Sequence, residues 1–77
     1  MYDAQVKEFE SKLPAALPGC EVRFWREDRG QLVCYEIRRG IHTPVPGEID
    51  VLLLPSSQKV DVAVRGIVNA LPAGWRT

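Results

Sequence analysis

Residues 22 to 37 read VRFWREDRGQLVCYEI, and this stretch constrains the fold more than any other part of the chain. A two-residue turn at Arg29-Gly30 sets Asp28 opposite Gln31. Val22 then faces Ile37 and Phe24 faces Tyr35 on one side of a hairpin. On the other side Glu21 meets Arg38, Arg23 meets Glu36 and Trp25 meets Cys34. Both charged pairs are opposite in sign, the favourable arrangement across strands. A slip of one residue sets Val22 against Glu36 and mixes both faces, so the pattern selects its own register. Arg-Gly is less typical of a two-residue hairpin than Asn-Gly, and Asp-Arg-Gly also suits a three-residue loop with a glycine bulge.

A second consequence concerns the two cysteines. Cys34 falls on the Trp25 side and Cys20, if the strand reaches back that far, on the Val22 side. An intrachain bond between them would pass through the sheet, so two reduced thiols are expected. Their spacing is not that of a metal site.

The remaining elements follow from periodicity. In DAQVKEFESKL, Val6, Phe9 and Leu13 recur at helical spacing, with Ala16 or Leu17 extending the stripe. Asp3 is the expected N-cap, and Pro14 is expected to end or kink the helix near Leu13. GIHTPVPG, residues 40–47, reads as a loop. EIDVLLL, residues 48–54, reads as a strand, with Ile49, Val51 and Leu53 on one face and Asp50, Leu52 and Leu54 on the other. SSQKVDVAVRGIVNAL admits two readings. Val60, Val62 and Val64 alternate like a strand. Val60, Ala63, Val64, Ile67, Val68 and Leu71 form a helical stripe that continues past Gly66, and this favours a helix capped by Ser56 or Ser57 and ended by Pro72. Trp75 is expected to pack back on the domain.

The expected fold is thus one α+β domain over residues 1–77, a two-layer sandwich of order α-β-β-β-α. An antiparallel hairpin and a third strand carry two helices on one face. Val22, Phe24, Tyr35, Ile37, Ile49, Val51 and Leu53 form the inner layer, beneath Val6, Phe9, Leu13, Val64, Ile67 and Leu71. A chain of 77 residues buries roughly 60% of its unfolded surface, so this core is thin.

The outer face is the candidate working surface. It is expected to carry Trp25, Leu32, Cys34, Leu52 and Leu54, framed by Arg23, Glu36, Arg38, Glu21 and Asp50. Apolar residues ringed by charge on an open face suit a partner-binding patch, and Trp and Arg are enriched at binding hot spots. The competing reading is that the GIHTPVPG loop or the Trp75 tail covers this face internally.

Chemistry finds little support. His42 is the only histidine, and nothing beside it indicates a triad. Ser56 and Ser57 sit where capping explains them, although a helix start with Lys59 nearby also suits an anion. Arg23 and Arg38 near Cys34 favour a thiolate, while Glu21 and Glu36 cancel much of that effect. No acidic pair is spaced for a metal, so neither catalysis nor a cofactor is expected.

Ten basic and ten acidic side chains cancel, which weighs against a dedicated nucleic-acid binder. Arg23, Arg26, Arg29, Arg38 and Arg39 nevertheless crowd the hairpin beside Trp25 and Tyr35, and this makes nucleic acid the alternative partner. The order helix, three strands, helix is similar to that of the double-stranded RNA-binding domain. In that family a lysine cluster opening the last helix grips phosphates. Here SSQKVDVAVRG offers Lys59 and Arg65 with Asp61 between them, so the resemblance implies the element order and not the function.

The leading expectation is a small non-enzymatic, cytoplasmic protein-interaction module with a protein partner. Inhibitors, adaptors and virion components of the kind that phages and other mobile elements encode have this character. A homodimer through the exposed face or an unpaired edge strand is compatible with it. No apolar run reaches membrane-spanning length and the start MYDAQVKEFE has no signal-peptide pattern, so no membrane association is expected.

Overall fold

The computed structural model describes residues 2–76, with side chains through Trp75. Its elements run α1 (Asp3–Ala15), β1 (Glu21–Glu27), β2 (Leu32–Arg38), β3 (Val45–Asp50), and α2 (Ser57–Ala70), the expected α-β-β-β-α order. The sheet is an antiparallel meander, β1-β2-β3. Both helices lie on one face, where Val6, Phe9, Leu13, Val60 and Val64 close over Val33, Tyr35 and Ile37.

The hairpin adopts the register that its side chains select: Val22 opposite Ile37, Phe24 opposite Tyr35, Trp25 opposite Cys34. The connection is longer than the expected two-residue turn: pairing stops at Glu27 and Leu32, and residues 28–31 form a four-residue loop. Gln31 N–H donates to the Asp28 carbonyl at 2.9 Å, and both central residues are left-handed, Arg29 at φ 57° and Gly30 at φ 88°. A turn of that handedness follows the twist of the strands. Asp28 (φ 53°) is left-handed as well. A non-glycine residue in this region carries about 1–2 kcal/mol of local strain, and the paired strands on either side hold Arg29 there.

Val33, opposite Arg26, adds a fully buried member to the inner layer. Phe9 meets the rings of Phe24 and Tyr35 edge-on, at centroid distances of 6.0 and 6.3 Å. That geometry suits the aromatic quadrupoles and locks α1 to the first two strands.

Three local expectations are corrected. Tyr2, not Asp3, occupies the N-cap position, and its carbonyl accepts from Val6 N–H; Asp3 is the first helical residue, where its charge favours the helix dipole. The helix also runs past Leu13 to Ala15 with Pro14 in its last turn. Only one hydrogen bond is lost there, and Leu17 N–H recovers the Pro14 carbonyl at 3.0 Å while its side chain is fully buried.

The third correction bears on the candidate site. β3 begins at Val45, inside the expected loop, and stops at Asp50. Residues Val51–Leu53 form a 3₁₀ turn instead of continuing the strand. Asp50 Oδ1 causes this: it accepts from Leu52 N–H at 2.8 Å and from Gln31 Nε2 at 2.6 Å, and so caps the turn. The change of period reverses two side chains. Leu53, expected inside, is 61% exposed, and Leu54, expected on the outer face, is fully buried in the core.

The last segment is a helix, as the continuous stripe requires. Ser56 Oγ accepts from Lys59 N–H, and Leu71 turns extended before Pro72. Val60 and Val64 face the core while Val62 points to solvent, which a strand could not arrange. Trp75 packs back as expected, 6% exposed, among the core residues. Cys20 Sγ lies 3.7 Å from the Trp75 carbonyl, on the helix side of the sheet; both thiols are free.

A polar clasp ties the two helices together. Glu8 accepts from Ser57 Oγ at 2.7 Å and from Lys12 Nζ at 2.6 Å, and Lys12 reaches Asp61 at 2.7 Å. The Lys12 ammonium, then the Ser57 hydroxyl, hold the Glu8 carboxyl below its ordinary 4.5. A depressed folded value means that the stabilisation is present above the unfolded value and disappears as pH falls through the folded one. Acidification below about pH 4.5 is therefore expected to lower Tm more for the wild-type chain than for Glu8→Gln. Parallel acid limbs in thermal melts of the two proteins would contradict this.

Candidate interaction face

Alternation along the three strands decides which side chains leave the core. β1 turns out Glu21, Arg23, Trp25 and Glu27, β2 Leu32, Cys34, Glu36 and Arg38, and β3 Pro46, Glu48 and Asp50. Trp25, Arg23, Leu32, Cys34, Glu36 and Arg38 are thus brought together on one face, as the hairpin register implies. Two expected members do not belong. Leu54 is in the core. Leu52 is exposed but lines a hollow beside Tyr2, Val6, Arg26 and Gly30, at the hairpin tip on the helix side.

Among the described residues, neither the GIHTPVPG loop nor the tail covers the outer face. Ile41 is fully exposed, and the His42 ring lies 5.7 Å from Trp75, which packs with the core. Trp25 consequently remains 41% exposed in the open sheet. Its Nε1–H donates to Glu27 Oε2 at 2.9 Å, fixing the indole in place. Beside it Cys34 is only 5% exposed, shielded although it points outward.

A notch of about 340 Å³ opens between the indole and β3, lined by Trp25, Glu27, Cys34, Pro46, Gly47 and Glu48. Glu27 and Glu48 were absent from the expected frame. Glu48 stands directly opposite Cys34, a pairing visible only once β3 is known to begin at Val45. The signal for it was the alternation Val45, Gly47, Ile49 against Pro46, Glu48, Asp50, masked by a Pro-Gly pair that reads as a turn.

Electrostatically the face is acidic: five carboxylates (Glu21, Glu27, Glu36, Glu48, Asp50) against two guanidiniums (Arg23, Arg38). Glu36 lies between the guanidiniums, 3.9 Å from Arg23 Nη1 and 3.8 Å from Arg38 Nε. That leaves the Trp25 end negative. The Cys34 thiol reports the same field, its pKa pushed up by burial first and then by Glu27 and Glu48. Its surroundings oppose a thiolate, in keeping with an inert thiol, although the carboxylates responsible are Glu27 and Glu48 and not Glu21 and Glu36.

The five hairpin arginines do not form a stripe. Arg23 and Arg38 flank Glu36; Arg26 and Arg29 line the hollow at the tip, where Arg26 Nη1 donates to the Gly30 carbonyl; Arg39 Nη1 donates to the Trp75 carbonyl at 3.3 Å on the helix side. Ser57 is engaged in the helix clasp and Ser56 in capping. Among the described residues no group of three or more His, Cys, Asp or Glu is placed to hold a metal ion, and no helix is long and apolar enough to cross a membrane. No family model, curated protein or solved structure significantly matches this chain.

Proposed function

We propose that this protein acts by binding another protein, which seats on the outer sheet face around Trp25. The observation that carries this reading is an indole 41% exposed yet fixed by Glu27, on a face that neither loop nor tail covers among the described residues. A large, pre-positioned aromatic beside a notch is the usual anchor of an interface, because little side-chain entropy is lost when a partner covers it. The acidic balance of the face and the dispersal of the arginines speak against nucleic acid as its ligand. The role suits an inhibitor, adaptor or virion component of the kind mobile elements encode, working in the cytoplasm without catalysis.

The test begins with the tagged protein captured from its native lysate, with and without nuclease, and the co-purifying partner then produced in pure form. Trp25→Ala is expected to weaken that partner by about 2 kcal/mol or more, roughly thirtyfold in Kd, with the thermal melt unchanged. Unchanged affinity would refute the role of the face. Recovery of nucleic acid in place of protein would favour the arginine-rich hairpin, and self-association on gel filtration would make the partner a second copy.

A further inference from the structure

The chemistry of the notch says what kind of group the outer face takes. The notch is lined by Trp25 from β1, Cys34 from β2, and Pro46 and Gly47 from β3. Two carboxylates stand at it, Glu27 from β1 and Glu48 from β3, on the two strands that flank Cys34. Glu27 is engaged by the indole N–H. The Glu48 carboxylate, exposed, has no hydrogen-bond or ion-pair partner among the described residues. The two face guanidiniums are both directed to Glu36. An indole and an unpaired carboxylate beside a shallow, open hollow are complementary to a flat cation.

We propose that the notch receives an arginine side chain of the partner protein, its guanidinium stacked on Trp25 and hydrogen-bonded to Glu48. This deepens the docking reading and rests on it. Arginine fits better than lysine because a planar guanidinium stacks on an indole face and meets a carboxylate with two parallel donors, whereas an ammonium is a compact, strongly hydrated charge. The Cys34 thiol in the lining adds a polarisable, uncharged surface. Glu27 and Glu48, which add to burial in raising the Cys34 pKa, also set the negative field that a guanidinium enters. The acidic face around the notch steers basic segments toward it.

The experiment titrates the full ¹⁵N-labelled chain with the capped peptide Gly-Gly-Arg-Gly-Gly, and with the same peptide carrying leucine or glutamate in place of arginine. The Trp25 indole N–H and the amides of Cys34 and Glu48 report on the notch, and the Trp75 indole is the control. The arginine peptide is expected to shift the three notch signals saturably while Trp75 stays still. Glu48→Gln is expected to weaken that binding about fivefold, as removal of one exposed charge pair does. Arginine-induced shifts that survive Glu48→Gln unchanged, or that centre elsewhere, overturn the proposal. If the leucine peptide moves the notch signals as well as the arginine peptide does, the guanidinium proposal falls while apolar docking at Trp25 stands. If no peptide moves them the guanidinium proposal also falls, and the Trp25→Ala measurement alone decides the docking reading.

Discussion

Phe9→Ala is expected to leave most of the chain unfolded at 25 °C. The Phe9 ring is fully buried and stands edge-on to both Phe24 and Tyr35, so it joins α1 to β1 and β2 at once. Truncating a buried phenylalanine costs about 3–5 kcal/mol, from lost transfer energy and from the cavity left behind. A domain this small holds roughly 3–5 kcal/mol in total, so that one ring is worth nearly the whole margin. Circular dichroism and urea unfolding measure it directly; a midpoint within about 0.5 M of wild type would show that the neighbours collapse into the space. Phe9→Leu, which keeps most of the volume, is expected to fold with a reduced midpoint.

Gly47→Ala is expected to be the most damaging single methyl group added to the sheet. Gly47 is the cross-strand partner of Tyr35, and the phenol ring lies directly over it. A Cβ at residue 47 would fall within the envelope of Cζ and Oη, and 2.6 Å from Cε1. The obstructing atoms belong to a ring with stiff torsions in the middle strand, itself pinned by Phe9, so it cannot swing aside cheaply. Overpacking of this kind costs about 1–3 kcal/mol, equivalent to a Tm lower by roughly 5–20 °C in a domain of this size. A double-mutant cycle identifies the cause. In a Tyr35→Leu background the same Gly47→Ala change should be much milder; strictly additive effects would mean that the ring is not the obstacle.

These two sites also show what the sequence discloses and what it conceals. The hairpin was legible because charge and apolar residues alternate on both strands, and only one register sorts them onto separate faces. α2 was legible despite its valines because a stripe running from Val60 to Leu71 has a period no strand shares. The outer placement of Trp25 opposite Cys34 follows from the same hairpin. The third strand was concealed by its own composition. Pro46 and Gly47 are turn residues by local preference, yet Gly47 is there to admit the Tyr35 ring and Pro46 lies on β3, which has no partner strand on its other side. At the far end Val51, Leu52 and Leu53 have strong strand character, and a single carboxylate, Asp50, overrides it by capping a turn. The error propagated to Leu54, whose direction depends on where the period changes. It also hid Glu48, and with it the sign of the field at the candidate site.

The two tryptophans occupy opposite sides of the sheet, one half-open to solvent and the other within the core. Their emission is therefore separable in colour and in accessibility. Trp25 emits in a polar surrounding and is open to a neutral collisional quencher such as acrylamide, whereas Trp75 is sheltered until the chain unfolds. A ligand covering the outer face removes quenching from the redder component alone, and denaturation adds it to the bluer one. Occupancy and folding thus have distinct optical signatures within the same unlabelled molecule.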